Sequence, residues 1–172
     1  MLKIAGVILC ILGTTGYGML KVTGWKRAID EMEQWILLFE KMKSHIYYHR
    51  DVITDICCRM DEKMYGIGGK YVADVGRDVR NDRTKSFRQS WEERMEDWAR
   101  DSELPDNVKK IIFEFPEYVG EKDYEQQINH LDFFLNRLKK EQDCIEKQMF
   151  EKRKPVMAVS IVSGITISVL LL

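Results

Sequence analysis

The chain has 172 residues, 32% of which are charged, and its 27 basic and 28 acidic side chains nearly cancel. This length suits one domain, and the abundance of charge argues against a protein that crosses a membrane many times. The near neutrality argues against nucleic acid as a partner, because binding to phosphates requires an excess of clustered lysine and arginine.

The first segment, residues 4–20, is apolar and contains no charged side chain. As a helix it would span roughly 25 Å, close to the ~30 Å of a membrane's hydrocarbon core. We therefore predict a transmembrane helix. A cleaved signal peptide is the alternative, since Lys3 precedes the segment, but no Ala-x-Ala-like cleavage site follows it.

Two long amphipathic helices are predicted, because apolar residues recur every three or four positions after Trp25 and again near the other end of the chain. The first stripe consists of Ile29, Met32, Ile36, Phe39 and Ile46, and the second of Ile128, Leu131, Leu135, Leu138, Ile145 and Met149. We expect the two helices to run antiparallel as a coiled-coil-like stalk. Their polar interruptions, Lys43 and Gln142, would lie at the same height only if the register permits.

Shorter helices are predicted between the stalk helices, because no segment alternates apolar and polar residues as a strand would. Their apolar positions are Val52, Ile56 and Met60; Val72, Val75 and Val79; Phe87, Trp91, Met95 and Trp98; and Leu104, Val108, Ile111, Ile112 and Phe115. Breaks are expected at "YGIGGK" (65–70) and "RNDRT" (80–84). The predicted class is all-α, a helical bundle between two stalk helices.

The last segment, residues 156–172, is apolar apart from serine and threonine and follows three cations at 152–154. We predict a second transmembrane helix, and a helix buried in a soluble core is the alternative. Cations tend to stay on the cytoplasmic side of a membrane. Lys21, Lys26 and Arg27 follow the first apolar segment and three cations at 152–154 precede the second, so most flanking cations lie on the side of residues 21–154. These residues are thus expected to form a cytoplasmic domain, with both termini outside.

Small residues recur every four positions in both apolar segments. They are Gly6, Cys10 and Thr14 in the first and Ser160, Gly164 and Ser168 in the second. Such stripes let helix backbones approach closely in a membrane, so we expect the two segments to pack against each other. The alternative is that small residues are simply common in membrane helices.

No catalytic, cofactor or metal site is predicted. His45 and His49 would share a helix face near Cys57 and Cys58, but adjacent cysteines point to different sides of a helix, which does not suit a metal site. Adjacent cysteines also rarely form a disulfide with each other, so the cysteines are interpreted as free thiols. The stretch 66–70 lacks the spacing and the preceding strand of a phosphate-binding loop and is interpreted as a flexible turn. The carboxylates lie on polar helix faces, which indicates neither an enzyme nor a small-molecule substrate.

Two charged clusters are candidates for binding a partner protein. They comprise Arg77, Arg80 and Arg83 in "RDVRNDRTK", and Glu92, Glu93 and Asp97 in "EERMED". Trp91 or Trp98 could anchor such a contact. The alternative is that the charges form solvated faces and that the tryptophans, at core spacing, face the interior.

Several motifs follow one another in an order that is found in a known family. They are "MLK" at 1–3, "SHIYYHRDVI" at 44–53, "SFRQSWEE" at 86–93, "LPDNVKKIIFEFPEYVGEKDYEQQINHL" at 104–131, and "EKRK" at 151–154. This succession resembles stage III sporulation protein AB of endospore-forming bacteria. Asp123 and Gln127 match the family's acidic-then-Gln spacing, whereas Phe115-Pro116 and Val119-Gly120 stand where the family often has Phe-Gly and Leu-Gly.

The resemblance implies a membrane component of the channel-like complex that joins mother cell and forespore. The cytoplasmic domain would be similar to the platform proteins of type II secretion and type IV pilus machines, which contact a secretion ATPase. The implied partners are the companion stage III AA ATPase and other stage III A membrane subunits, at the mother-cell membrane that faces the forespore. The expected function is a non-enzymatic scaffold without a cofactor, and a membrane-anchored signalling or sensor coiled coil is the alternative.

Overall fold

The computed structural model describes the backbone of residues 2–82, 84–119 and 124–171, and side chains in 23–82, 84–119 and 125–151. All regular structure in these ranges is helical, which confirms the all-α class. The helices are α1 (Leu2–His49), α2 (Ile53–Cys58), α3 (Glu62–Asn81), α4 (Phe87–Asp101), α5 (Asp106–Phe113), a 3-10 turn (Phe115–Tyr118) and α6 (Tyr124–Leu171). Residues 28–143 form one compact unit, and residues 1–27 with 144–172 form another.

The transmembrane predictions concern side chains outside the described ranges. This applies to both apolar segments, 4–20 and 156–172, and to the small residues expected to pack there, which are Gly6, Cys10, Thr14, Ser160, Gly164 and Ser168. Across the side chains that the structure describes, no helix combines the length and the apolar character needed to cross a membrane. The two membrane helices and their packing therefore stay predictions.

Within the unit of residues 28–143, α1 and α6 run antiparallel. Lys43 of α1 forms a salt bridge with Asp132 of α6, and Glu40, one turn earlier, lies 2.6 Å from Lys139. Moving toward the N-terminus of α1 therefore corresponds to moving toward the C-terminus of α6. The two polar interruptions are not level, because Lys43 lies opposite Asp132 and Gln142 follows about 15 Å further along the helix.

The buried face of α1 in this unit is wider than the predicted stripe. Met32, Ile36, Phe39 and Ile46 are buried as predicted, whereas Ile29 is half-buried. The additional buried side chains are Ala28, Trp35, Leu38 and Met42. The face is wide because α1 packs against more than one element: Trp35 meets Trp98 of α4 edge to face, with ring centroids 4.9 Å apart.

The break predicted at 65–70 lies at Tyr65 and Gly66, where α3 kinks, whereas the rest of the stretch is helical and is not the flexible turn expected there. Only Tyr65 and Gly66 leave the helical conformation. The φ of Gly66 is +60°, a value that glycine adopts without steric cost. Gly68 is buried, and a Cβ there would come within 2.7 Å of the Trp35 ring. The close approach of α1 therefore explains a glycine in this helix.

The tryptophans of α4 belong to the core, as the alternative interpretation predicts. Trp91 and Trp98 are fully buried. The indole of Trp91 donates a hydrogen bond to the Ile112 carbonyl (3.1 Å), and that of Trp98 donates to the Glu31 carboxylate (3.0 Å). Both tryptophans are therefore engaged inside the unit and are not exposed as anchors for a partner.

Most other predicted apolar positions in the short helices are also buried. The five around α5 are all buried, as are Ile56 and Met60 near α2. Val52 is 63% exposed, because it stands before the first residue of α2 and does not belong to its apolar face. Val79 and Phe87 are half-buried.

Candidate functional site

An open groove lies between α1 and α6 in the unit of residues 28–143. It has a volume of about 570 Å3 and is lined by Glu40, Lys43, Ser44, Tyr47 and Tyr48 of α1 and by Ile128, Asp132, Leu135, Asn136 and Lys139 of α6. On each helix the lining residues recur at intervals of three or four, which places them on one face. We call this feature the tyrosine groove.

Two exposed tyrosines lie at one end of the groove. Tyr48 is 74% exposed and Tyr47 is 52% exposed. Their rings meet edge to face, with centroids 4.8 Å apart. Because both are exposed, neither ring belongs to the buried face of α1. Tyrosine is enriched in protein interfaces, where the ring packs and the hydroxyl forms hydrogen bonds.

The chain reverses directly after the tyrosines. Helix α1 ends at His49, and Arg50 takes the left-handed conformation with φ of 52°. Its N–H donates to the Ile46 carbonyl (3.1 Å), which is a common way to end a helix, although glycine is usual at this position. The Asp51 carboxylate then accepts a hydrogen bond from Arg59 (2.8 Å). These contacts hold the helix end that presents the tyrosines.

Two salt bridges join the walls of the groove. Lys43 pairs with Asp132, and Glu40 pairs with Lys139. The four side chains remain between 27% and 50% exposed, and pairs of this kind contribute about 0–1 kcal/mol each. The pairs leave the groove without net charge, and the side chains of Ser44 and Asn136 add neutral hydrogen-bonding groups.

The walls are also held together from the core side. Phe39 of α1 meets Phe134 of α6 edge to face, with centroids 4.8 Å apart, and lies 4.6 Å from the ring of Phe115. All three side chains are fully buried. Large buried rings limit how far two helices can shift against each other, so the groove is formed before any partner binds.

The histidines and the cysteines lie in separate environments. His45 lies 3.2 Å from the Asp51 carboxylate through Nδ1, and its ring is 5.5 Å from that of His49. Cys57 is buried, and this burial raises the pKa of its thiol, which therefore stays protonated at neutral pH. Among the described residues, no three or more His, Cys, Asp or Glu side chains are grouped as metal ligands. Cys57, Cys58 and Cys144 are free thiols, as predicted.

The basic candidates for partner binding lie on and after α3. Arg77 is 3.0 Å from Asp74, and Arg80 is 2.7 Å from Asp55. Arg83 lies outside the described residues. Both described arginines are more than half exposed, so their ion pairs can exchange for a partner's carboxylates at small cost. Their role in binding stays a prediction.

The acidic candidates lie on α4 and are likewise near basic side chains. Glu93 is 2.6 Å from Lys85, and Glu92 is 4.0 Å from Arg88. Asp97 is 3.3 Å from Arg100. All three carboxylates are at least half exposed. The structure thus places the acidic and basic candidates on two different helices, and their joint use by one partner stays a prediction.

Arg94 connects these two helices, a role that the sequence did not indicate. Its guanidinium donates two hydrogen bonds, of 2.6 and 2.9 Å, to the carboxylate of Asp78 on α3. These bonds lower the pKa of the Asp78 carboxyl group. An arginine within a charged run gives no sign of its partner, because the partner is chosen by how α3 packs on α4.

The tyrosine groove was also not predicted as a site, although its tyrosines belong to the quoted motif at 44–53. The available signal was the pair of adjacent tyrosines itself, since the predicted apolar stripe of α1 ends at Ile46 and includes neither tyrosine. The contribution of α6, including Asn136 and Lys139, depends on helix register and left no local signal.

One comparison with known proteins gives a match over nearly the whole chain. The model of a family described as stage III sporulation protein AB matches residues 3–172. Neither the curated proteins nor the solved structures contain a significant match. The matched range includes the motifs from residue 44 to residue 154 that are described above.

Proposed function

Because the chain belongs to the stage III sporulation protein AB family, we propose that it is a non-enzymatic membrane scaffold that docks a cytosolic ATPase onto a sporulation complex joining mother cell and forespore. The segments 4–20 and 156–172 anchor it in the mother-cell membrane that faces the forespore, with residues 21–154 in the cytoplasm. Its partners are the companion stage III AA ATPase and other stage III A membrane subunits.

The observation that carries the docking role is the tyrosine groove. It offers two exposed tyrosine rings, and aromatic residues are enriched in protein interfaces. The buried contact of Phe39 with Phe134 sets the separation of its walls, and a preformed surface loses little conformational entropy when a partner binds. These features support a docking surface.

A binding measurement tests the docking role. Full-length protein in lipid nanodiscs is titrated with the purified stage III AA ATPase, and we expect saturable binding that empty nanodiscs do not show. An absence of binding at micromolar ATPase would contradict the proposal. Capture of a signalling regulator from mother-cell membranes, with no ATPase retained, would instead favour the signalling or sensor alternative.

The membrane arrangement has its own test. Alkaline carbonate should leave the protein in the membrane pellet, because two spanning helices are held by their apolar surface. A protease added outside intact mother cells should leave residues 21–154 uncut. Release by carbonate, or digestion of this domain from outside, would contradict the proposed anchoring and topology.

A further inference from the structure

We infer that the tyrosine groove takes an α-helix of the docked partner and recognises it by packing an uncharged, apolar stripe of that helix against the two tyrosines. The inference rests on the proposed docking function and adds the mode of recognition.

The dimensions of the groove fit a helix. From Glu40 to Tyr48 the lining covers about two turns of α1, or ~12 Å. A third helix that lies between two antiparallel helices contacts both along such a length. An added strand would need a sheet edge, and the described residues form only helices.

The exposure of the lining argues against a small molecule. Sites for small molecules bury most of the ligand surface. Here Tyr48 is 74% exposed, and Asp132 and Lys139 are about half exposed. A small ligand in this groove would stay largely in contact with water, whereas a helix would cover the exposed rings.

The charges of the groove point to an uncharged contact. Lys43 is paired with Asp132 and Glu40 with Lys139, so each charge already has its countercharge. A charged side chain of the partner would only exchange one weak ion pair for another, which gains little. An apolar side chain covers the rings of Tyr47 and Tyr48 together with the apolar lining, and this burial is favourable. The complementary surface is therefore an apolar helix stripe.

The first test measures how the affinity for the stage III AA ATPase depends on each exposed ring, with full-length protein in nanodiscs. Tyr48→Ala is expected to raise the Kd roughly tenfold or more, as truncation of an aromatic anchor in an interface does. Tyr48→Phe keeps the ring and should give a Kd within about threefold of that of the unsubstituted protein, because the inferred contact consists mainly of ring packing. Equal affinity of Tyr48→Ala and the unsubstituted protein would overturn the inference.

Two exposed side chains outside the groove provide matched controls. Leu37 on α1 is 50% exposed, and Phe133 on α6 is 63% exposed, and neither lines the groove. Leu37→Ala and Phe133→Ala should change the Kd by less than about twofold, as expected for residues outside the contact. An effect of either control as large as that of Tyr48→Ala would overturn the location.

The second test separates packing from charge. Raising the salt concentration from roughly 0.05 to 0.5 M should change the Kd by less than about threefold, because salt screens charge contacts and not packing. Loss of binding at high salt would overturn the uncharged contact while leaving ATPase docking intact.

Hydrogen exchange of the ATPase identifies the occupant. We expect groove-dependent protection of one amphipathic helix, lost with Tyr48→Ala. Protection confined to a loop or to a charged helix would overturn the inference, as would a Tyr48-dependent dimer of this chain in light scattering, which would make a second copy the occupant. If the unsubstituted protein does not bind the ATPase at all, the proposed docking function fails first.

Discussion

Adjacent phenylalanines on α6 have opposite environments, which makes them a direct test of how this helix packs. Phe134 is fully buried, whereas Phe133 is 63% exposed. The ring of Phe134 has three aromatic neighbours on two elements, α1 and the 3-10 turn, with centroid distances of 4.8 Å to Phe39, 5.4 Å to Phe115 and 5.1 Å to Tyr118. The same substitution to alanine should therefore have very different effects at the two positions.

The expected size of the difference follows from the burial. Removing a buried phenylalanine ring costs about 3–5 kcal/mol, because apolar surface is lost and a cavity remains. For a unit the size of residues 28–143, each kcal/mol lowers the Tm by about 3–5 °C. Phe134→Ala should thus lower the Tm by roughly 10–20 °C. Phe133→Ala should lower it by less than about 2 °C, since exposed substitutions change stability within about 0.5 kcal/mol.

Tryptophan fluorescence during heating is a suitable assay, because Trp91 and Trp98 are buried in the same unit. The unsubstituted protein and both variants are compared at full length in the same detergent micelles. Similar Tm values for the two variants, or a larger loss for Phe133→Ala, would refute the orientation of α6 on which the tyrosine groove depends.

Three further predictions concern packing, pH and thiol reactivity. Gly76→Ala should lower the free energy of unfolding in urea by about 1–2 kcal/mol, because the new Cβ would lie 2.6 Å from a backbone nitrogen of α2, and the cost of this crowding exceeds the gain in helix propensity. The pKa of the Asp78 carboxyl is lowered by its hydrogen bonds from Arg94, so its stabilising contribution is present above the ordinary pKa of about 3.9 and is lost as the pH falls through the lowered value. Arg94→Gln should therefore lose less stability than the unsubstituted protein when the pH is lowered from about 6 to about 2, as followed by urea unfolding. Iodoacetamide should modify exposed Cys144 in the folded protein and Cys57 only after denaturation, because burial protects the Cys57 thiol and raises its pKa.

Each of these predictions has a control and a contradicting result. Ala73→Gly in the same helix tests the propensity term, and unchanged stability of Gly76→Ala would contradict the close packing of α2 on α3. Parallel pH dependences with and without Arg94 would show that the pair does not persist in solution. For the thiols, peptide mass spectrometry is compared before and after addition of guanidinium, and early modification of Cys57 would contradict its burial.

The helices and much of the core follow from sequence periodicity. The positions expected on the apolar face around α5 are all buried, and Trp91, Met95 and Trp98 follow the predicted spacing on α4. Such patterns are readable because a helix brings residues three and four apart onto one face whatever the rest of the chain does. The family could also be recognised, since motif order is a property of the sequence alone.

The candidate site could be predicted only in part from the sequence. Its α1 half carries the adjacent tyrosines, which the sequence displays, but its α6 half depends on Asp132 and Lys139 meeting Lys43 and Glu40. Many charged residues of either helix could have formed these pairs with similar energy. The weak preference of any one surface ion pair cannot select the register, so the groove could not be located from the sequence.

The sequence by itself determined that this protein is helical, where most of its helices bury their apolar faces, and to which family it belongs. Only the tertiary structure decided that the α1 face widens to include Trp35, that the break at Gly66 is a kink within α3, and that Tyr47 and Tyr48 border a groove with α6. The physical reason is the distance along the chain over which each effect acts. Helical periodicity acts within a few residues, whereas register and close approach are set by the combined packing of side chains that are distant in the chain.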